Sequence, residues 1–224
     1  MYKINQLLHL RSKQPYTLGK NIPQMLKNAV EQCPDTILQA SKNEIGTYER
    51  HSYKLVYRHV LDLACALKEF GVKRGDLVGL ISDNRREWMV TDLALLSLGA
   101  ADVPRGCDSM GTEIRIILNF TGCRLCFFEN DRQLNKVLEN MDEVPELTDA
   151  ILFDSPDELT MERAALLGVR VHKFIELEDM GKKSSQEQRD AIEAEIEKTE
   201  GSDLATIIFY IRYNRNSKGR NAYS

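Results

Sequence analysis

Two cysteines stand three positions apart in Cys123-Arg124-Leu125-Cys126. That spacing serves zinc or thiol–disulfide chemistry when a second ligand pair or a helix N-terminus accompanies it. No second pair exists, and Cys123–Glu129 (CRLCFFE) is apolar enough to read as a strand, in which positions three apart face opposite sides. Two core thiols is the reading this supports; Cys33, Cys65 and Cys107 fall into no ligand spacing. The histidines at 9, 51, 59 and 172 are scattered, and none lies in an H-E-x-x-H or G-x-S-x-G context. His59 sits on an apolar helical stripe and reads as a packed or boundary residue. Neither a Walker loop nor G-x-G-x-x-G is present, and Gly106–Gly111 is only superficially a glycine-rich loop. Asp83–Trp88 (DNRREW) directly follows a buried apolar run, the place where open α/β sheets hold ligands. A helix cap followed by surface charges, with Trp88 packed, is the preferred reading of it. Local chemistry therefore assigns no catalytic residue and no metal ligand.

The elements that would position these residues alternate. Thr36–Ser41 reads as a short strand, with a turn around Asn43–Gly46. Ser52–Phe70 carries Leu55, Val56, His59, Val60, Leu63, Leu67 and Phe70 at helical spacing and is stopped by Gly71. Leu77–Ser82 reads as a strand buried on both faces. A helix follows from about Arg85 to Leu98, capped by Asp83 or Asn84 and ended by Gly99. A short extended ADVP segment, a helix over Thr112–Phe120, the strand at Cys123–Glu129, a helix over Asp131–Met141 and a strand at Asp149–Asp154 continue the pattern. Ile175–Gly201 turns polar. With a capping box at Ser184-x-x-Glu187 and a narrow apolar edge (Ala191, Ile192, Ala194, Ile196), it reads as a solvated surface helix, a partner-binding helix being the alternative. Asp203–Tyr210 (DLATIIFY) reads as a buried strand. The whole predicts an α/β fold: a layered, mostly parallel sheet with flanking helices.

Composition narrows the function. Lys+Arg 30 against Asp+Glu 34 leaves a net charge of −4, without the basic surplus that a nucleic-acid partner requires. Five cysteines, an odd count, do not suggest a secreted disulfide framework. The longest apolar stretch, Leu93–Ala101, is interrupted by Ser97 and Gly99 and is too short to cross a bilayer. The N-terminus lacks a signal-peptide apolar region. The expectation is a cytoplasmic chain, peripheral at the inner face of the membrane at most through Ile4, Leu7 and Leu8, for which packing onto the protein is the preferred reading.

The ordered segments SYKLVYRHVLDLACALKEFGVKRGDLVGLISDNRREWMVTDLALLSLGAADVPRGCDS and SDLATIIFY resemble the adenylate-forming (AMP-binding) enzymes, and among them the long-chain fatty acyl-CoA synthetases. A helix ending in G-V, then K-x-G-D, a V-G-L strand, N-x-x-E-W, a D-L-A helix and G-A-x-x-V-P occur in the family's order, over roughly Ala29 to Tyr210. The resemblance implies part of the large N-terminal domain of such an enzyme. Residues 1–28 would be an N-terminal extension, 29–210 a partial adenylation domain and 211–224 an aberrant tail. It also implies ATP, Mg²⁺ and CoA as cofactors, none bound tightly by this chain, and a fatty acid substrate.

In the family, the D-L-A-T-I-I-F-Y strand leads into a phosphate loop, T-S-G-T-T-G-x-P-K-G, whose backbone N–H groups and hydroxyls hold the ATP phosphates. Here the chain continues Ile211-Arg-Tyr-Asn-Arg-Asn-Ser-Lys-Gly, so that Asn216–Gly219 matches only the x-P-K-G end, with Ser217 in place of proline. Lys218 and Gly219 are the nucleotide-binding remnant, and a solvated tail lysine is the preferred reading of Lys218. Small frame disruptions in the gene would account for the change, and resequencing the codons after Tyr210 tests that. Losing one preorganised donor at a comparable site costs roughly 3 kcal/mol, so losing the loop should abolish turnover. The expectation is a chain inactive and aggregation-prone by itself. The alternatives are half of a split synthetase completed by a downstream-encoded chain, and a non-catalytic α/β binding module.

Overall fold

The computed structural model describes residues 19–42 and 45–210. They form two compact units, the first from residues up to Asp76 with Asn84–Ala100 and Ile175–Asp203, the second from Leu77–Asp83, Ala101–Phe174 and the residues from Leu204.

The first unit holds α1 (Ile22–Gln32), the antiparallel hairpin β1 (Ile37–Lys42) and β2 (Tyr48–Ser52), and α2 (Tyr53–Glu69). The expected turn falls at the hairpin tip, where Gly46 takes φ +78; Asn43 and Glu44 lie outside the described residues. β2 has no counterpart among the sequence expectations, because YERHS is largely exposed and polar and presents no apolar alternation. The Ser52 side chain caps α2 by accepting from the Leu55 N–H, and Gly71 at φ +90 ends it.

α3 (Arg86–Ser97) starts one residue later than expected, with Arg85 at the cap position and no side-chain cap bond. Asp83 does not cap it, because its carboxylate is committed to the Cys107 N–H at 3.0 Å. The polar stretch after Ile175 is not one solvated helix. In this unit it gives α7 (Phe174–Lys182) and α8 (Gln186–Lys198), with Leu177, Glu178, Ile192 and Ile196 buried. The capping box lies one residue on, between Ser185 and Gln188. Asn21 closes two helices at once: its Oδ1 accepts from the Gln24 N–H of α1, and its Nδ2 donates to the Ile196 and Thr199 carbonyls at the end of α8.

The second unit is a five-stranded parallel sheet of β3 (Leu77–Ile81), β4 (Ala101–Arg105), β5 (Leu125–Phe128), β6 (Asp149–Leu152) and β7 (Arg170–Lys173), in the order β4-β3-β5-β6-β7. α4 (Gly111–Thr121), α5 (Asp131–Leu138) and α6 (Glu158–Leu166) lie side by side, α4 against β4, α5 against β5 and α6 against β7. α5 stops short of Met141, where a 3-10 turn takes over. The short α6 and β7 were not expected: the exposed Leu159 and Leu166 blur the helical stripe, and RVHK is half polar. β5 and β6 are buried at every position, as strands covered on both faces must be. Gly79 in β3 has no room for a side chain, since a Cβ there would stand 2.5 Å from Cys126 Sγ and 2.7 Å from Leu118.

Two expectations fail here. Asp203–Tyr210 is not a buried strand. Beside β4 it makes a single parallel bridge, Asp102 to Thr206, and exposes Leu204, Ile208 and Tyr210. Only its alternate residues turn inward: Ile207 and Phe209 pack half-buried against the core, Phe209 with its ring 5.6 Å from that of Phe120. Cys123 and Cys126 do not face opposite sides. Cys123 precedes β5, so strand alternation does not apply to it, and both thiols enter the same core cluster.

Candidate functional site

The sheet order places β3 between β4 and β5, with the chain reversing direction of progression between β3 and β5. In open parallel sheets this switch, at the carboxyl ends of the strands, is the position where ligands sit. The exits of β3, β4 and β5 carry Asp83, Cys107 and Glu129, and one ligand atom from each lies within 4.8 Å of the others. Glu129 Oε2 accepts from the Ser82 hydroxyl at 3.1 Å and from the Asp83 N–H at 2.9 Å. Lys136 holds the β4 exit loop by donating to the Cys107 and Ser109 carbonyls, both at 2.8 Å. Burial, then the hydrogen bond to Glu129, pushes the Cys107 thiol up to about 11, so it is protonated at neutral pH. No spacing in the sequence announces this group. Its members are 24 and 22 positions apart, and only the parallel register brings their loops together.

The sequence candidates are otherwise absorbed by structure. Arg85, Arg86 and Glu87 form ion pairs, Arg85 to Glu87 at 2.7 Å and Arg86 to Glu178 at 3.0 Å, and Trp88 is half-buried. His59 is a boundary residue, its Nδ1 3.5 Å from Glu178. Burial opposes ionisation of Glu178, yet His59 and Arg86 outweigh it and hold the carboxyl at about 2. Burial raises both thiols of the C-x-x-C segment, Cys123 to about 11, as inert core groups require. Lys218 and Gly219 lie outside the described residues.

His172 joins a different cluster at the start of β6 and β7. Asp149 accepts from Arg170 at 2.8 and 2.7 Å, lies 3.0 Å from His172 Nε2 and is bonded by the Thr148 hydroxyl at 2.8 Å. Burial alone would raise the Asp149 carboxyl, but these partners hold it at about 2. A carboxyl lower in the folded than in the unfolded chain stabilises the fold above its unfolded value, near 4, and loses that contribution as pH falls through 2. Asp149→Asn is therefore expected to cost about 2–3 kcal/mol at pH 7 and almost nothing at pH 2. Urea titrations of both proteins at the two pH values check this; an equal difference at both would refute it.

A family model described as AMP-binding enzyme matches residues 26–209. A long-chain-fatty-acid–CoA ligase of Mycobacterium tuberculosis is 25% identical over 159 residues, covering 70% of this chain and 26% of that protein. A chloroplastic long-chain-fatty-acid–[acyl-carrier-protein] ligase of Arabidopsis thaliana is 23% identical over 211 residues, covering 89% and 28%. The chain thus spans little more than a quarter of the length of these relatives. Among solved structures, the A domain of a carboxylic acid reductase from Segniliparus rugosus, in complex with AMP and a co-purified carboxylic acid, superposes with a TM-score of 0.62. That match has 17% identity and covers 73% of this chain and 30% of that one. A fatty acyl CoA synthetase of M. tuberculosis gives 0.52 at 22% identity, covering 65% and 28%. At these identities the structural matches speak for the fold alone. Among the described residues, no helix is long and apolar enough to cross a membrane.

Proposed function

Because the chain belongs to the AMP-binding enzyme family, we propose that it supplies the N-terminal part of a long-chain fatty acid–CoA ligase. Such an enzyme uses ATP and Mg²⁺ to convert a fatty acid carboxylate to the acyl-adenylate with release of pyrophosphate. The acyl group then passes to the thiol of CoA. The observation that carries the reading is the family match along 26–209, joined by two relatives whose names share long-chain fatty acid as substrate and differ in the acceptor, CoA or acyl carrier protein. We place the reaction in the cytoplasm, with the chain peripheral at the membrane's inner face when it receives its apolar substrate.

The 224-residue chain is inactive alone on this reading and does not hold ATP tightly. T-S-G-T-T-G is missing after Tyr210, and Lys218 and Gly219 are a remnant rather than a phosphate grip. Half of a split synthetase is the second form of the proposal, favoured by the edge at Leu204, Ile208 and Tyr210, which no other described residue covers and a further chain could.

The test is acyl-adenylate formation from palmitate and ATP, followed by transfer to CoA or to acyl carrier protein. The expected result is no product from this chain, and palmitoyl-CoA once it is co-expressed with a separately encoded segment beginning at an intact phosphate loop. Adenylate formed by the chain alone would refute the inactivity. An assembled enzyme that uses short or aromatic acids and refuses palmitate would refute the substrate class.

A further inference from the structure

Among the described residues one group of side chains able to ligate a metal comes together, at the exits of β4, β3 and β5. We propose that Asp83, Cys107 and Glu129 bind a zinc-class divalent ion through one thiolate and two carboxylates, with water completing four-fold coordination. Zinc–sulfur and zinc–oxygen bonds of about 2.3 and 2.0 Å set neighbouring ligand atoms roughly 3.5 Å apart. The three atoms already lie within 4.8 Å, so small side-chain rotations close the site. Binding takes the Cys107 proton to solvent and forms the sulfur–metal bond in its place.

Two features support a cation here. The first is charge. Among the described residues no lysine or arginine pairs with Asp83 or Glu129, and the nearby Lys136 spends its ammonium on two carbonyls. The second is orientation. Asp83 Oδ1 is aimed by the Cys107 N–H, and Glu129 Oε2 by the Ser82 hydroxyl and the Asp83 N–H, the outer contacts that fix ligating carboxylates in metal sites.

A thiolate in the set selects zinc, cobalt or cadmium over magnesium and calcium. The site is therefore chemically separate from the Mg²⁺ that accompanies ATP. An ion bound there would tie together the ends of three adjacent parallel strands on either side of the sheet's switch point.

Titrating the chain with Co²⁺ reads the site directly. One equivalent should produce a near-ultraviolet sulfur-to-cobalt charge-transfer band and the visible bands of tetrahedral cobalt, both erased by one equivalent of Zn²⁺. Cys107→Ser should lose the charge-transfer band, Cys33→Ser should keep it, and Cys107→His should keep the visible bands alone. Asp83→Asn and Glu129→Gln should each weaken binding at least about 10-fold. Far-UV circular dichroism establishes that each variant is folded. Absence of the charge-transfer band in the unmodified chain, its survival in Cys107→Ser, or undiminished affinity in both carboxylate variants would overturn the assignment.

Discussion

Phe127→Ala is expected to destabilise the parallel-sheet unit by about 3–5 kcal/mol, the range for emptying a buried aromatic position. Phe127 is fully buried in β5, with its ring 5.8 Å from Phe153 and 6.5 Å from Phe174, which themselves meet edge-on at 5.1 Å. Deleting it removes two of the three ring contacts as well as its own area. On the opposite face of the same strand, Cys126 and Phe128 pack into the cluster that includes Ile114, Leu118 and Leu134. Neither face can therefore collapse without disturbing the strand between. Phe127→Leu should lose less than half as much. Equilibrium urea denaturation of both variants checks this, and a loss below 1 kcal/mol in the alanine variant would mean that the cavity closes or that β5 is not central.

Arg189→Ala should cost the helical unit a comparable amount, about 3–5 kcal/mol, because it strands a buried carboxylate. Arg189 donates to Asp62 Oδ1 at 2.8 and 2.7 Å and also to the carbonyls of Gly181, Lys182 and Ser184, so one guanidinium pairs α2 with α8 and pins the α7–α8 turn. Gly181 closes against Asp62, where a Cβ would fall 2.0 Å from the Asp62 carbonyl. If the uncompensated charge dominates, the double variant Asp62→Leu/Arg189→Leu should recover much of the loss. If pinning the turn dominates, it should recover little. Thermal unfolding of the two single variants and the double variant separates these outcomes, and a wild-type midpoint for Arg189→Ala would rule out both.

Part of this molecule could be read from residue patterns alone. The long stripe of α2 and its Gly71 stop, the apolar run of β3 and the alternation of strand with helix through β6 each carry a local signal: a period, a cap or a left-handed glycine. The ordered motifs carried the family in the same way, because they are contiguous in the chain. β2, α6 and β7 escaped, and α7 was not separated from α8, because these elements are short and carry mixed exposure, so their boundaries depend on neighbours rather than on their own period.

Tertiary structure decided the rest. DLATIIFY is as apolar as a central strand, and only the absence of a further strand beside it among the described residues makes it an edge. Asp83 looked like a helix cap until the β4 exit loop brought it the Cys107 N–H. Asp83, Cys107 and Glu129 have no relation along the chain. Parallel pairing aligns Ile81 with Arg105 and with Phe128, so the residues that follow these strands emerge at one end of the sheet. Periodicity specifies which face of an element is apolar, but it cannot say which loops will meet, because that depends on strand order.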